Sequence, residues 1–167
     1  YGYLQTNGTY AIEPRFHDAY SFREGRAIVM SEAGRYGYID RLGTVVAPMI
    51  YKSAWQFNSG RAFVMGEDDH WRMIDRKGDV VLDVTYAQTR PFEDSLARVY
   101  KIGQGWAFIN PQGEALTRIV YDELAPFMNG YAPVLLGDNW GLINRRGKQV
   151  VECQFEAVGG VFIQNRD

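Results

Sequence analysis

This chain has little of the equipment of an enzyme or a nucleic-acid binder. Its 167 residues include one cysteine and two histidines, and its net charge is only -2. The lone Cys153 excludes an internal disulfide and leaves the redox compartment open. With 18 Lys and Arg against 20 Asp and Glu, and a pI of 5.7, nothing draws the chain to a phosphate backbone or an anionic lipid surface, so no nucleic-acid partner is expected. No apolar run approaches bilayer length, and the first residues lack a basic start followed by an apolar stretch, so membrane insertion is not expected either. What is present is 46% hydrophobic residues with 14% aromatics, ample for a packed interior.

The aromatics are periodic. One opens each unit at Tyr1, Tyr36, Trp71, Trp106 and Trp140, and an aliphatic follows three places later at Leu4, Ile39, Ile74, Ile109 and Ile143. Glycine falls seven places after the opening at Gly8, Gly43, Gly78, Gly113 and Gly147. Further aromatics recur at position 15 (Phe16, Tyr51, Tyr86, Tyr121, Phe155) and position 21 (Phe22, Phe57, Phe92, Phe127), counting the opening residue as zero. Alanine and valine columns follow at Ala27, Ala62, Ala97 and Ala132 and at Val29, Val64, Val99 and Val134. A fixed period means an array of supersecondary units, none able to bury its apolar face alone. The chain is therefore expected to be one repeat domain over 1–167, with units starting at 1, 36, 71, 106 and 140, the last degenerate and 159–167 forming a terminal cap. Because it opens directly on a repeat, it is expected to be part of a longer protein.

The opening segments, such as Tyr36 to Ile39, are short, aromatic and β-branched, which predicts a central strand covered on both faces. Glycine behind the opening aromatic, at Gly2, Gly37 and Gly141, implies a close neighbour there, expected to be the ring at position 15 or 21; Arg72 breaks that pattern in unit three. Asp40 to Gly43, Asp75 to Gly78, Asn110 to Gly113 and Asn144 to Gly147 carry type I turn chemistry with a left-handed glycine closing a bulged hairpin. A second strand (Val45, Val46) and a third (Arg61 to Met65) complete a three-stranded meander. Pro133 predicts that the third strand lies at an edge. The fold is expected to be an all-β array, either an open solenoid-like stack, which we favour, or a closed propeller-like ring. The tail Gly160 to Ile163 could pair with the first strand to close such a ring or cap an end.

These stretches resemble the WG-repeat family of bacterial proteins, whose unit begins aromatic-Gly-aromatic-Ile-Asp and continues to a Tyr, a Phe and Gly-x-Ala-x-Val. Tyr36 Gly37 Tyr38 Ile39 Asp40, then Gly43, Pro48, Tyr51, Ala54, Phe57, Gly60, Ala62 and Val64, carry the match, and Trp140 Gly141 lies nearest the namesake. Arg72, Ala107 and Ser95 depart from it. The resemblance implies an all-β repeat domain, often one part of a larger and frequently exported or surface-associated protein, with no general catalytic residues.

Chemistry at the level of residues is sparse. Neither His17 nor His70 stands in a nucleophile, metal or phosphate-loop motif, and no cofactor is expected. Glu67 Asp68 Asp69 His70 could supply oxygens to a cation but reads as a solvated hairpin tip. Cys153 has no activating base nearby in sequence. The informative rings lie outside the consensus. Tyr20 and Trp55 share position 19, where units three and four carry Arg90 and Ala125, so Tyr20, Trp55 and Arg90 are expected to form a row of interface-type side chains. The expected function is non-catalytic binding or scaffolding of a protein partner; the alternative is a carbohydrate or cell-wall binder that uses exposed aromatics.

Overall fold

Apolar residues placed on both sides of the opening strand require a sheet with two covered faces, and the chain meets that requirement by stacking sheets. The structure, a computed structural model, describes residues 1–82, 84–117 and 121–156. Every regular element among them is a strand. The first sheet holds β1 (Tyr3–Leu4) and β2 (Tyr10–Ile12). The second runs in order through β3 (Asp18–Ala19), β4 (Arg26–Met30), β5 (Tyr36–Asp40) and β6 (Val45–Tyr51). The third holds β7 (Ser53–Ala54), β8 (Arg61–Met65) and β9 (Trp71–Asp75), and the fourth β10 (Gln88–Thr89), β11 (Ala97–Lys101) and β12 (Gly105–Ile109). The fifth contains β13 (Glu123–Leu124), β14 (Tyr131–Leu136), β15 (Asn139–Asn144) and β16 (Gln149–Phe155).

Each sheet from the second onward straddles two sequence units, taking its outer strands from one and its opening-aromatic strand from the next. The expected meander of third, opening and second strand is present as β4-β5-β6, all antiparallel. It is not the whole sheet. A two-residue strand lies outside the third strand, as β3 on β4 and β13 on β14, so the third strand is not an edge. Pro133 is nevertheless accommodated. Its carbonyl accepts from the Ala125 amide at 3.0 Å, so its missing N–H would face Ala125, one residue beyond the end of β13.

The glycine behind the opening aromatic admits backbone rather than the aromatic ring expected. A Cβ at Gly37 would lie 2.6 Å from the Ala47 carbonyl oxygen and 2.8 Å from the Met49 amide, because a register shift pushes that part of β6 inward. The consequence can be read along the array. Units with Gly2, Gly37 and Gly141 carry the inner strands β2, β6 and β16. Where Arg72 or Ala107 supplies a Cβ, the described residues keep only isolated bridges, Trp71 to Tyr86 with Ile74 to Val80, and Trp106 to Tyr121 with Ile109 to Ala115.

The turns follow their chemistry. Asp40 Oδ1 accepts from the Leu42 and Thr44 amides at 2.9 Å each, and Asp75, Asn110 and Asn144 repeat the pattern, so the side chain stands in for a turn bond and needs no cation. Gly43 closes its turn at φ 84°.

Alternation then sorts the core into four junctions. Ala27, Val29 and Ile39 of the second sheet meet Ile12 and Phe16 of the first, while Ile28, Tyr38 and Ala47 on its other face meet Ala62, Val64 and Ile74 of the third. Phe63 and Met73 pack on Ala97, Val99 and Ile109, and Phe108 packs against Ala132, Val134 and Ile143. Rings at position 21 lock each junction: Phe57 meets Tyr38 edge-on at 5.0 Å, Phe92 stacks on Phe63 at 5.5 Å, and Phe127 meets Phe108 at 4.8 Å. The opening aromatic is a less uniform core residue than its recurrence predicts. Trp71 is 7% exposed, whereas Tyr1 is 69% exposed. The tail Gly160 to Ile163 lies outside the described residues.

Candidate functional site

Position 19 immediately follows the short outer strand, and its amide donates to the third strand: Tyr20 to Ile28, Trp55 to Phe63 and Arg90 to Arg98. That register turns its side chain to the face holding the next unit's opening aromatic. Three pairs result, each formed 16 residues apart in sequence. Tyr20 lies 6.5 Å from Tyr36, Trp55 stacks on Trp71 at 5.8 Å and 14°, and the Arg90 guanidinium sits 5.6 Å from the Trp106 ring centroid. Ala125 leaves Trp140 without such a partner side chain at this position. The expected row is therefore a set of pairs, and the opening aromatics are its other half, which sequence reasoning assigned to the core.

The three members are not equivalent. Tyr20 and Arg90 are exposed, while Trp55 is half-buried and leans on the core of the third junction. Its indole Nε1 donates to Thr89 Oγ1 at 3.2 Å across that junction, and Thr89 is only 1% exposed. The reason lies in position 2. Tyr3 and Tyr38 each send a hydroxyl to the next sheet, to the carbonyls of Tyr20 at 2.8 Å and Trp55 at 2.6 Å. Burial pushes the Tyr38 phenol far above its ordinary pKa, so this donor stays protonated. Met73 and Phe108 have no hydroxyl. At their junctions Trp55 reaches Thr89, and Arg98 Nη1 donates to the Leu124 carbonyl at 3.2 Å. Trp55 is thus a junction tie as well as a member of the row.

The other groups singled out in sequence are satisfied locally. Glu67 pairs with Arg35 at 2.9 Å, Asp69 with Lys52 at 2.8 Å, and Asp68 with Arg72 at 2.5 Å. The chain's own cations thus occupy the acidic hairpin tip. The hydrogen bond from Arg72, ahead of smaller opposing desolvation, holds the Asp68 carboxyl well below its usual range. No group of three or more His, Cys, Asp or Glu side chains placed to hold a metal occurs among the described residues. His17 is exposed. Cys153 lies half-buried in β16 with Sγ near the Val134 carbonyl at 3.9 Å, and burial raises its thiol pKa. A groove of about 370 Å³ beside His70, Thr85, Lys101 and Gln104 is open to solvent and separate from the row.

The WG containing repeat model matches residues 1–32, 36–68, 71–103, 106–140 and 140–165. The chain belongs to the WG containing repeat family. No curated protein matches this WG array. Similar solved structures include the computationally designed Ika8 protein, at 13% identity over 78% of this chain and 46% of that one with a TM-score of 0.47. BamB from Moraxella catarrhalis shares 14% over 77% of this chain and 45% of its own, with a TM-score of 0.41. The WD40 beta propeller domain of Doa1 shares 10% over 78% and 51%, with a TM-score of 0.38. The WG array spans about half the length of these three structures. No described helix is long and apolar enough to cross a membrane.

Proposed function

We propose that this WG array is a non-catalytic binding module for a protein partner, that residues 1–167 act as one domain, and that Tyr20 and Arg90, with the exposed part of Trp55 between them, contact the partner. The observation that carries this reading is the pairing itself: two exposed side chains of interface type, each laid over an aromatic ring at the equivalent place in the second and fourth sheets. Aromatic and arginine groups held by rings beneath them lose little side-chain freedom on binding. The shifted acids add support, because Glu24 and Asp68 owe their lowered pKa values to arginines and backbone amides of the fold rather than to a reaction centre. An open stack fits the exposure of Leu4 and Val150 at its two ends, 62% and 43%.

The test compares the wild-type array with a Tyr20→Ala/Arg90→Ala double variant as immobilised baits, in parallel with a glycan array. A protein recovered by the wild type and weakened by at least about 1 kcal/mol in the variant supports the reading. Glycan binding that is lost with Tyr20 instead assigns the row to carbohydrate. Equal recovery by both baits removes the row from function.

A further inference from the structure

The hairpins that join a third strand to the next opening strand differ in what packs against them. At the hairpin of the third sheet four charged side chains close the gap. Arg35 meets Glu67 at 2.9 Å, and Lys52 meets Asp69 at 2.8 Å while also donating to the Glu67 carbonyl at 2.9 Å. At the hairpin of the fifth sheet Asp122, in the position of Lys52, accepts from the Gly137 amide at 2.7 Å. The fourth sheet has neither arrangement. In the places of Arg35, Lys52, Glu67 and Asp69 stand His70, Ala87, Ile102 and Gln104, which cannot form those ion pairs, and the Ala87 methyl is too short to reach the hairpin. The groove of about 370 Å³ occupies the space so left, between these four residues and Val84, Thr85 and Lys101.

Lys101 is what the exchange adds, since the third sheet has Gly66 in its place. Its half-buried side chain sets the ammonium 6.0 Å from the Tyr86 ring centroid, and it pairs with no carboxylate of the described residues. The acids of the neighbouring hairpin are already engaged: Glu67 by Arg35, Asp68 by Arg72 and Asp69 by Lys52. His70 is held by its own hairpin, where Nδ1 donates to the Asp68 carbonyl at 2.7 Å. Thr85 and Gln104 bring neutral hydrogen-bond donors to the groove, and Val84 and Ile102 bring aliphatic surface. A free cation, neutral donors and an aliphatic wall suit a carboxylate on a short apolar stem. Among the described residues no Tyr, Trp or Phe lines the groove, so it offers a sugar no ring to stack on.

We propose that this groove binds the carboxylate of a glutamate or aspartate side chain carried by the protein partner. Its ion pair with Lys101 supplies from outside what Lys52 and Asp69 form within the chain one sheet earlier. The proposal rests on the protein-binding reading but not on the row of Tyr20, Trp55 and Arg90, none of which lines the groove.

Titration of the isotope-labelled chain with the blocked tripeptide alanyl-glutamyl-alanine, followed by amide NMR shifts, tests this. Saturable shifts at Thr85, Ile102 and Gln104 are expected at about millimolar peptide, with the glutaminyl counterpart at least about fivefold weaker. Lys101→Met keeps an unbranched stem on Tyr86, and Ala87→Met fills the groove; each should weaken binding by a similar factor. The Tyr20→Ala/Arg90→Ala variant should bind the peptide as the wild type does. Shifts that fail to saturate at about 50 mM peptide overturn the proposal, as does equal binding of the glutaminyl peptide or undiminished binding by Lys101→Met. Glucuronate that shifts the same amides more strongly than the glutamyl peptide also overturns it, assigning the groove to an acidic sugar. A partner recovered equally by wild-type and Lys101→Met baits overturns it too, while leaving the protein-binding reading standing. Thermal melts verify folding, and Lys101→Gln takes the place of Lys101→Met if the latter lowers the melting temperature.

Discussion

Tyr20 and Trp55 occupy the same position in successive units and bond through the same backbone register, yet one is surface and the other is mortar. Tyr20 is 39% exposed over a half-buried Tyr36, while Trp55 stacks on a Trp71 that is only 7% exposed and reaches into the next sheet. The junctions, not the row, make the difference. Tyr3 and Tyr38 tie the first two junctions with hydroxyls, and Met73 leaves the third without one. A repeat can therefore lose a consensus bond in one unit and restore it from a position that the consensus leaves free. Position 19 looks dispensable when judged by its column, and in one unit of the array it is not.

Five measurements sharpen or break that comparison. The largest expected effect is at Trp71→Ala, which empties a buried site beneath Trp55 and should cost about 3–5 kcal/mol in chemical denaturation. A loss no larger than that of an exposed ring would place Trp71 outside the core. Trp55→Ala should cost about 1–3 kcal/mol, more than its exposed neighbours in the row, since it removes a stacked ring and leaves the buried Thr89 hydroxyl without its donor. A double-mutant cycle of Trp55→Phe with Thr89→Val should return a coupling of about 1 kcal/mol, and additivity would show that the 3.2 Å bond contributes nothing.

The fourth measurement concerns pH. Glu24 accepts from the Ser59 and Gly60 amides and from Arg76, each at 2.9 Å. Partial burial alone would raise its carboxyl, but Arg76, Gly60 and Ser59 outweigh that and hold it below the usual 4.5. A depressed folded-state pKa gives stability that is present above the unfolded value and is lost as pH falls through the folded one. The wild-type melting temperature should therefore fall below pH 4.5 partly through this group, and Glu24→Gln should flatten that part of the profile. An unchanged acid slope would remove Glu24 from the account. The smallest effect belongs to Tyr20→Ala, expected within about 0.5 kcal/mol of the parent in stability, so that any loss of partner binding can be read as contact.

Much of the fold was legible in the residues. Turn chemistry at Asp40 to Gly43 and its counterparts, the opening strand with two covered faces, and the Ala and Val columns on one face all follow from backbone preference and side-chain alternation, which act within a few residues. The short outer strands β3 and β13 were not legible, because two residues such as Asp18 and Ala19 carry no period of their own and pair only where the third strand offers an edge. The cause of the recurring glycine was also hidden. The group that crowds Gly37 is the Ala47 carbonyl, and backbone leaves no mark in sequence.

The candidate site divides along the same line. Sequence alone determined that Tyr20, Trp55 and Arg90 are equivalent and outside the consensus, since equivalence is a matter of counting along the chain. Tertiary structure decided that each lies over the next unit's opening ring, and that Trp55 is bound into a junction while Tyr20 and Arg90 face solvent. Periodicity fixes which residues share a face, whereas burial depends on what the neighbouring sheet puts against that face. For Trp55 this is Thr89, 34 residues away in sequence.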